Sequence, residues 1–389
     1  IVGDGSGAVS ITVQVNFGQD STFQGDESAG GNTDANGIGD FSMAVPTDAK
    51  ALCASNLPET TIGPNSGTDE QSDDYFNTVL YSGSGSTQSI TGDGFQSDWS
   101  WFKRRDASVN HALYDSTRGG TNALRSNTTG AESQFGDAVV TFQSDGFQIA
   151  GTNVSGINGS SDSMVAWNWK ANGGTTTSFS ESGDNPAGTF QANQTAGFSI
   201  VTTTGTGATG TISHGLGAIP KWIIAKQRND ANYFTIYHHS MGTGSEMYLA
   251  LTQAKTNSNF WITDPTSSVF SVSSSDYVNE NDSTYVFYCF AEIEGYSKFG
   301  SYTGNGNADG AFVFIGFRPA WLMVKVTNIS GENWHIFDSE RATFNTVKAR
   351  LIADGSTAEN SNDSILDFTS NGFKFRENNA GWNGNGNTY

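Results

Sequence analysis

One strand-like segment of this sequence carries apolar side chains on both faces. Along Trp321–Lys325, the Trp, Met and Lys side chains lie on one face of an extended chain, and Leu and Val lie on the other. Because both faces carry apolar residues, the pattern predicts a strand near the centre of a packed structure. Short apolar runs separated by turns rich in Gly, Asn and Ser continue along the chain, whereas the helical signal is weak. The chain is therefore predicted to be all-β.

The same segment occurs three times, as Trp99–Lys103, Trp222–Lys226 and Trp321–Lys325, with Lys four residues after Trp each time. A Gly-rich turn precedes each copy, and an aromatic strand follows it. Self-similarity of this kind is the signature of a repeat architecture. We therefore predict three tandem β-sandwich modules, jelly-roll or lectin-like, after a partial N-terminal β domain.

The expected boundaries follow the changes in composition along the chain. The third module ends at Tyr389, where its closing strand is expected to begin, so the sequence is expected to be a piece of a longer protein. The predicted segments are a partial β domain (1–60), a linker (61–74), module 1 (75–170), a second linker (171–197), module 2 (198–293) and module 3 (294–389).

Charge and composition exclude several classes of protein. The net charge of −20 repels phosphate groups, and Lys103–Arg105 is the longest cluster of basic residues, so nucleic-acid binding is not predicted. No apolar stretch is long enough to span a membrane as a helix. Aromatic residues make up 12% of the chain and charged residues only 15%, a balance that suits an extracellular or virion protein with aromatic cores.

The repeated Lys lies on the strand face that carries the Trp, so it is expected to be partly buried and to need a polar partner. The natural partner is the Asp of the downstream Asp-Ser pair. This predicts structural pairs of Lys103 with Asp115 and of Lys325 with Asp338. In module 2, His238 or His239 replaces the Asp, so a simple ion pair is not predicted there.

Aromatic residues in polar surroundings are candidates for stacking on a sugar. Trp382, Trp261 and Tyr233 lie in segments rich in Gly and Asn, and Asn378 and Asn379 could add hydrogen bonds beside Trp382. The alternative is that these rings plug loops against the core of each module.

Candidate chemistry of other kinds is weak. Asp26, Asp34, Asn36 and Asp40 could supply oxygens to Ca²⁺, but their spacing fits no standard calcium loop, so a solvated loop is the default and no cofactor is predicted. The downstream residues His111, Asp115 and Ser116 have the types of a catalytic triad without the Gly-x-Ser-x-Gly turn. No pair of carboxylates is singled out as acid and base for glycoside hydrolysis. The chain is predicted not to be an enzyme.

Two sets of residues carry a resemblance to a known family. Val15–Gln19, followed by Ala51–Cys53 and Asn56–Pro58, resembles the closing segment of SPRY/concanavalin-like domains in structural proteins of marine tailed phages. The Gly-Phe-x-Pro-x-Trp sequence at Gly316–Trp321, with its Trp-x-x-x-Lys strand, resembles a module that follows this domain in tail-fibre proteins. The first copy lacks the Pro, and the second lacks the Gly-Phe.

The resemblance implies a virion or extracellular setting and a fibre or appendage segment for host attachment. It implies other virion proteins as partners, a host surface glycan as a candidate ligand, and a homo-oligomer that is trimeric in a fibre. Two alternatives stay open. One is a capsid decoration protein, and the other is a polysaccharide depolymerase.

Overall fold

The computed structural model describes residues 14–47, 49–53, 56, 60–63, 69–151, 154 and 156–389, which form two compact units, Ile1–Glu59 and Thr60–Tyr389. The chain is almost entirely β, which confirms the predicted fold class. Among the described residues, no helix is long and apolar enough to cross a membrane. Parts of the predicted 1–60 domain and of the 61–74 linker, namely residues 1–13, 48, 54, 55, 57–59 and 64–68, lie outside the described residues.

The first unit is built around Asp34. The carboxylate of Asp34 accepts hydrogen bonds from the backbone N–H groups of Ala51 (2.9 Å), Ile38 (3.0 Å) and Asn36 (2.9 Å). These bonds lower the pKa of Asp34 to about 2, and the bond from Ala51 has the largest effect on it. Strand pairing in the described part of this unit is limited to a bridge between Asn32 and Phe41.

The second unit begins with a short 3₁₀ helix, Ser72–Asp74, and a β-sandwich that we call repeat 1 (residues 75–170). One sheet of repeat 1 has the order β1-β8-β3-β4-β5 and the other has the order β2-β7-β6. The strands are β1 (Phe76–Ser82), β2 (Gln88–Ile90), β3 (Trp99–Arg104), β4 (Ala112–Asp115), β5 (Gly119–Leu124), β6 (Val139–Phe142), β7 (Phe147–Ala150) and β8 (Ser163–Trp169).

Repeat 2 (198–293) has an eight-stranded sheet of order β16-β15-β14-β13-β18-β11-β10-β9 and a two-stranded sheet, β12-β17. Residues 171–197, predicted as a linker, contribute the two strands β9 and β10 to the larger sheet. The strands are β9 (Thr177–Phe179), β10 (Ala187–Asn193), β11 (Phe198–Thr204), β12 (Gly210–Ser213), β13 (Pro220–Gln227), β14 (Thr235–His238), β15 (Ser245–Tyr248), β16 (Thr256–Asn257), β17 (Val269–Val272) and β18 (Thr284–Ala291).

Repeat 3 (294–389) has two three-stranded sheets, β20-β21-β22 and β19-β24-β23. Its Trp strand, β20, lies at the edge of its sheet and is mostly half-buried, so the predicted central position is wrong for this copy. The corresponding strands β3 and β13 are central and almost fully buried. The strands are β19 (Phe312–Phe314), β20 (Trp321–Val324), β21 (His335–Asp338), β22 (Leu351–Ile352), β23 (Leu366–Thr369) and β24 (Gly372–Phe375).

The three repeats share one aromatic core. Residues on alternate positions of β3 divide between two cores: Trp99 and Trp101 enter the shared core, whereas Phe102 enters the core between the two sheets of repeat 1. The shared core also contains Trp222 of repeat 2 and Trp334 of repeat 3. Repeat 1, which the predicted linker 171–197 separates from repeat 2 in the sequence, is therefore packed against the other two.

Backbone hydrogen bonds close the three repeats into a ring. Glu132 of repeat 1 donates its N–H to the carbonyl of Arg228 in repeat 2 (2.8 Å). Lys255 of repeat 2 donates to Thr327 in repeat 3 (2.9 Å), and Glu359 of repeat 3 donates to Arg105 in repeat 1 (2.8 Å). Each repeat thus bonds to the next, and the third bonds to the first.

Candidate functional site at the junctions between repeats

A buried network of charges joins repeat 3 to repeat 1. The Arg341 guanidinium contacts Asp338 (2.5 Å) and Glu359 (3.0 Å), and the exposure of both Arg341 and Asp338 side chains is 0%. From repeat 1, Trp167 Nε1 donates to Asp338 (2.9 Å), and Arg105 contacts Glu359 (2.9 Å). Every charge in this network has a partner of opposite sign, which a buried charge requires.

The junction between repeats 1 and 2 carries the same arrangement. Arg118 contacts Asp115 (2.5 Å) and Glu132 (3.1 Å), and Glu132 also contacts Arg228 of repeat 2 (2.9 Å). The hydroxyl of Tyr288 donates to Asp115 (2.7 Å), and burial raises the pKa of Tyr288 well above its usual value, so the phenol keeps its proton. Two of the three junctions therefore contain the same buried network of Asp, Arg and Glu side chains.

The third junction, between repeats 2 and 3, lacks these charges. The positions equivalent to Asp115, Arg118 and Glu132 hold His238, Met241 and Lys255. Burial, followed by the neighbouring His239, lowers the pKa of His238 to about 4, so the ring is neutral at pH 7. Its Nδ1 accepts a hydrogen bond from the backbone N–H of Ser240 (3.2 Å).

A groove of about 510 Å³ opens at this third junction, between β20 and residues 297–302. Its wall includes His238, and its floor is apolar, so it is the concave apolar surface with polar groups at its side that binding sites favour. The main apolar residues of the floor are Trp222, Met241, Met247, Phe299, Met323 and Trp334. We define this feature as the junction groove and take it as the candidate functional site.

The predicted pairs of Lys with Asp are wrong. Lys103 Nζ donates to the carbonyls of Arg104 (2.6 Å) and Ala107 (3.4 Å). Asp115 lies opposite Trp99 in the strand register, four residues away from Lys103 along the strand, which is about 13 Å. The other repeated lysines also donate to carbonyls, Lys226 to Thr129 and Asp230, and Lys325 to Thr252 and Glu332.

The two Trp rings named as candidate platforms for sugar are buried, as in the alternative that they plug loops against the core. Trp382 is 1% exposed and is covered by Arg350, whose guanidinium lies 5.0 Å from the ring centre. Trp382 and its polar neighbour donate their backbone N–H groups to the carbonyl of Asn379, so the chain folds the ring inward in a turn. Trp261 is 2% exposed and packs on Tyr237.

The remaining residues of the predicted sugar site do not lie on one platform with the Trp rings. Asn378 and Asn379 are exposed, and Asn379 Oδ1 accepts a hydrogen bond from the N–H of Gly381 (2.8 Å). Tyr233 is half-buried and packs on Tyr248, with ring centres 5.3 Å apart. The polar residues around these rings therefore indicate turns, but they do not indicate that the faces of the rings are exposed.

The candidate triad residues form hydrogen bonds and ion pairs with other parts of the fold. His111 Nδ1 accepts a hydrogen bond from Trp101 Nε1 (2.8 Å), so Nε2 carries the proton and donates to the carbonyl of Ile352 in repeat 3 (2.9 Å). Burial lowers the pKa of His111 to about 3. Ser116 donates to Asp98 (2.7 Å), and Asp115 belongs to the junction network described above.

The residues weighed as oxygen donors to Ca²⁺ make hydrogen bonds within the first unit. Asp34 accepts the backbone bonds given above, Asp40 accepts from the N–H of Ser21 (3.1 Å), and the Asn36 amide donates to Asn56 (2.8 Å). Asp26 is exposed and accepts from Gln14 (3.3 Å). Within the described ranges, no three His, Cys, Asp or Glu side chains are grouped to hold a metal ion.

Asp93 is a buried carboxylic acid in repeat 1. Its Oδ1 accepts a hydrogen bond from Asn168 (2.9 Å), while Oδ2 has no hydrogen-bond partner. Burial raises the pKa of Asp93 to about 7, although the bond from Asn168 opposes this shift. The folded protein therefore binds a proton here between about pH 4 and pH 7 that the unfolded chain releases.

This proton makes stability depend on pH. Because the folded pKa is raised, the contribution of Asp93 to the free energy of unfolding is expected to fall by roughly 4 kcal/mol as pH rises from about 4 to 8, for a difference of about three pKa units. Buried histidines such as His111 and His238, whose pKa values are lowered, change the total free energy of unfolding in the opposite direction. Asp93→Asn keeps the acceptor for Asn168 and removes this contribution, so the free energy of unfolding of the variant relative to wild type should rise by roughly 4 kcal/mol between pH 4 and pH 8 in denaturant titrations. The exposed Asp184→Asn control should keep the wild-type slope. A wild-type slope in Asp93→Asn would contradict the assignment.

A short motif signals the charge networks. Asp115 and Arg118 stand three residues apart, as do Asp338 and Arg341, whereas His238 and Met241 occupy the matching positions of repeat 2. We predicted a role for the Asp residues but missed both Arg partners. Comparing the three copies position by position reveals the Asp-Ser-x-Arg motif and its loss at the junction groove.

A family model described as a domain of unknown function (DUF7483) matches residues 71–389. No curated protein matches the chain, and no solved structure matches it.

Proposed function

The chain belongs to this family of unknown function, and we propose that it is a non-enzymatic structural protein of a tailed-phage virion, a fibre or appendage segment for host attachment. The observation that carries the proposal is the ring that joins the three repeats. Two buried Arg residues contact the neighbouring repeat, since Arg118 donates to the Tyr288 hydroxyl of repeat 2 and the Arg341 guanidinium lies over the Trp167 ring of repeat 1. This arrangement resists relative motion of the repeats, which suits a part that transmits mechanical load.

The sequence features support the same setting. The Gly-Phe-x-Pro-x-Trp sequence before β20 resembles fibre modules, and the acidic, aromatic-rich composition suits an extracellular surface. We propose other virion proteins as partners, and a trimer for the assembly in a fibre. Weak contacts repeated over the copies of a fibre would sum to useful avidity for a host surface.

The test is to locate this chain on the particle that carries it. An antibody raised against residues 60–389 should label fibres or tail appendages in electron micrographs of intact particles. Label spread over the capsid lattice would replace the proposal by a decoration role. Label on no virion component would overturn the virion setting. A particle lacking the chain serves as the control for non-specific label, and loss of adsorption to host cells with intact DNA packaging is the expected phenotype.

A further inference from the structure

Equivalent positions at β5, β15 and β22 carry different residues in the three repeats. Leu124, Met247 and Leu351 pair with matching residues of the preceding strand, and all three enter the shared core. Because side chains alternate along a strand, the two residues that flank each of them face away from the shared core. These flanking residues are Ala123 and Arg125 in repeat 1, Glu246 and Tyr248 in repeat 2, and Arg350 and Ile352 in repeat 3.

Repeats 1 and 3 each place a guanidinium over an aromatic ring on this face. The guanidinium of Arg125 lies 5.0 Å from the ring centre of Phe135, and that of Arg350 lies 5.0 Å from the ring centre of Trp382. A cation within about 6 Å of a ring centre is attracted by the negative face of the ring. Repeat 2 carries a carboxylate and a phenol at the matching positions. The face that holds a cation in two repeats therefore holds an anion in the third.

Glu246 is a buried carboxylate without a counter-ion. Its side chain belongs to a residue that is 2% exposed, and its Oε1 accepts hydrogen bonds from the hydroxyl groups of Thr256 (2.5 Å) and Tyr248 (3.3 Å). Its Oε2 has no hydrogen-bond partner, and across the described residues no Lys, Arg or His forms an ion pair with it. A buried charge of this kind is unfavourable until a cation approaches it.

Three half-buried tyrosine rings pack together beside Glu246. Tyr248, whose hydroxyl donates to the carboxylate, packs on Tyr233 with ring centres 5.3 Å apart and on Tyr277 with ring centres 5.5 Å apart. Phe260 stacks on the ring of Tyr277 at 4.8 Å. Burial, followed by the negative charge of Glu246, raises the pKa of Tyr248, so this ring keeps its proton. We call Tyr233, Tyr248, Tyr277 and Glu246 the tyrosine cluster.

We propose that the tyrosine cluster binds an organic cation, a guanidinium or alkylammonium group, on the exposed parts of its rings. Grouped aromatic rings are an established means of recognising organic cations. The carboxylate of Glu246 supplies the opposite charge, and the exposed Asp276 next to Tyr277 adds to it. The bound group takes the role that Arg125 and Arg350 have in the other two repeats. The site lies wholly within repeat 2, and it is independent of the function proposed above.

The test is an NMR titration of the full chain with ¹³C in its 12 tyrosines. Ethylguanidinium is the probe, and ethylurea is its control because it has nearly the same shape without the charge. The signals of Tyr233, Tyr248 and Tyr277 are expected to shift with ethylguanidinium and to saturate with a dissociation constant of about 1 mM, as suits a partly exposed site. Ethylurea should bind at least fivefold more weakly.

Variants of the protein separate the charge from the rings. Glu246→Gln keeps an acceptor for its two hydroxyl partners but removes the charge, so it should weaken binding of ethylguanidinium at least fivefold. The matched control Glu181→Gln changes an exposed carboxylate in the segment before β10 and should bind as wild type does. Tyr277→Leu should also weaken binding, whereas Tyr277→Phe keeps the ring and should stay within about twofold of wild type.

Thermal unfolding without ligand checks that the variants fold. Glu246→Gln is expected to melt no lower than wild type, because it removes an unpaired buried charge. Ethylguanidinium at saturation should raise the melting temperature of wild type and leave that of Glu246→Gln unchanged. The two Tyr277 variants keep the test decisive if Glu246→Gln does not fold.

A peptide probe distinguishes two sources of the cation. Acetyl-Gly-Arg-Gly-amide presents a guanidinium as the side chain of a polypeptide, whereas ethylguanidinium presents it as a small molecule. Binding of the peptide at least fivefold more tightly than ethylguanidinium would assign the site to an Arg side chain of a partner protein. Comparable binding of the two would assign it to a small cation. Both results support a cation site.

Three outcomes would overturn the proposal. Equal shifts with ethylurea and ethylguanidinium would show that the site does not select charge. Unchanged binding in both Glu246→Gln and Tyr277→Leu would place the cation elsewhere. Saturation of the same tyrosine signals by methyl β-galactoside, without any response to ethylguanidinium, would assign the cluster to a neutral sugar. None of these results bears on the virion proposal, which the labelling experiment tests separately.

Discussion

Replacing Arg341 by Met is expected to lower the free energy of unfolding of the second unit by about 3–5 kcal/mol. The substitution removes the guanidinium but leaves Asp338, 0% exposed, as a buried charge whose remaining side-chain partner is the neutral indole of Trp167. It also removes one of the two Arg partners of Glu359. Equilibrium denaturation of the full chain measures the loss.

Two further variants define the cause. Arg376→Met removes a guanidinium that is 40% exposed and pairs with Asp367, and it should cost no more than about 1 kcal/mol. The double variant Asp338→His with Arg341→Met copies the residues found at the third junction, and it should recover part of the loss because the uncompensated carboxylate is gone. An equal cost for Arg341→Met and Arg376→Met would show that the buried network does not stabilise the junction.

Truncating Trp99 to Ala is expected to cost at least about 3–5 kcal/mol, since it opens a cavity where the repeats meet. The ring of Trp99 is 0% exposed and stacks on Tyr288 of repeat 2, with ring centres 4.3 Å apart. It also packs against the tilted ring of Trp169, with ring centres 4.5 Å apart. Aromatic pairs of this kind add about 0.5–1.5 kcal/mol each to the loss of buried area. We therefore expect the substitution to weaken the packing of repeat 1 against repeat 2.

The sequence offers a control of identical chemistry. Trp321→Ala changes the equivalent Trp of repeat 3, which is half-buried beside the junction groove, and it should cost clearly less than Trp99→Ala. Thermal unfolding followed by calorimetry gives both values on the same protein. Equal losses would mean that Trp321 is as well packed as Trp99, and the groove would then not be an open surface.

The strand pattern predicted the local structure well and the assembly poorly. Apolar residues on both faces of Trp321–Lys325 predicted a central strand. The prediction is wrong for β20, which lies at the edge of its sheet, although the matching strand β3 is central and each of its faces meets a different core. The pattern could not say that the second core belongs to all three repeats, since periodicity reports which side chains are covered and not what covers them. The same limit explains why the edge position of β20 could not be predicted from its apolar pattern.

The polar residues were harder to place. Strand pairing brings Asp115 opposite Trp99, and that register depends on the turn between the strands, so the partner of Lys103 could not be read from spacing alone. Trp382 illustrates a second limit, because Gly- and Asn-rich neighbours predict turns, and a turn can fold a ring inward as easily as expose it. The junction groove was predictable only in part, from His238 and Met241, which replace the Asp and Arg of the other two repeats.

Because the third repeat bonds to the first, some contacts of repeat 1 can form only after repeat 3 has been synthesised. Arg105 forms its ion pair with Glu359, 254 residues later in the chain, and Trp167 donates its hydrogen bond to Asp338, 171 residues later. At a ribosomal rate of about 5–20 residues per second, roughly 10 to 50 seconds pass between the appearance of Arg105 and that of its partner. During this interval Phe76 and Trp169 lack the ring of Trp321, which repeat 3 will bring against them. The nascent chain therefore presents an aromatic surface to chaperones until the last repeat has left the ribosome.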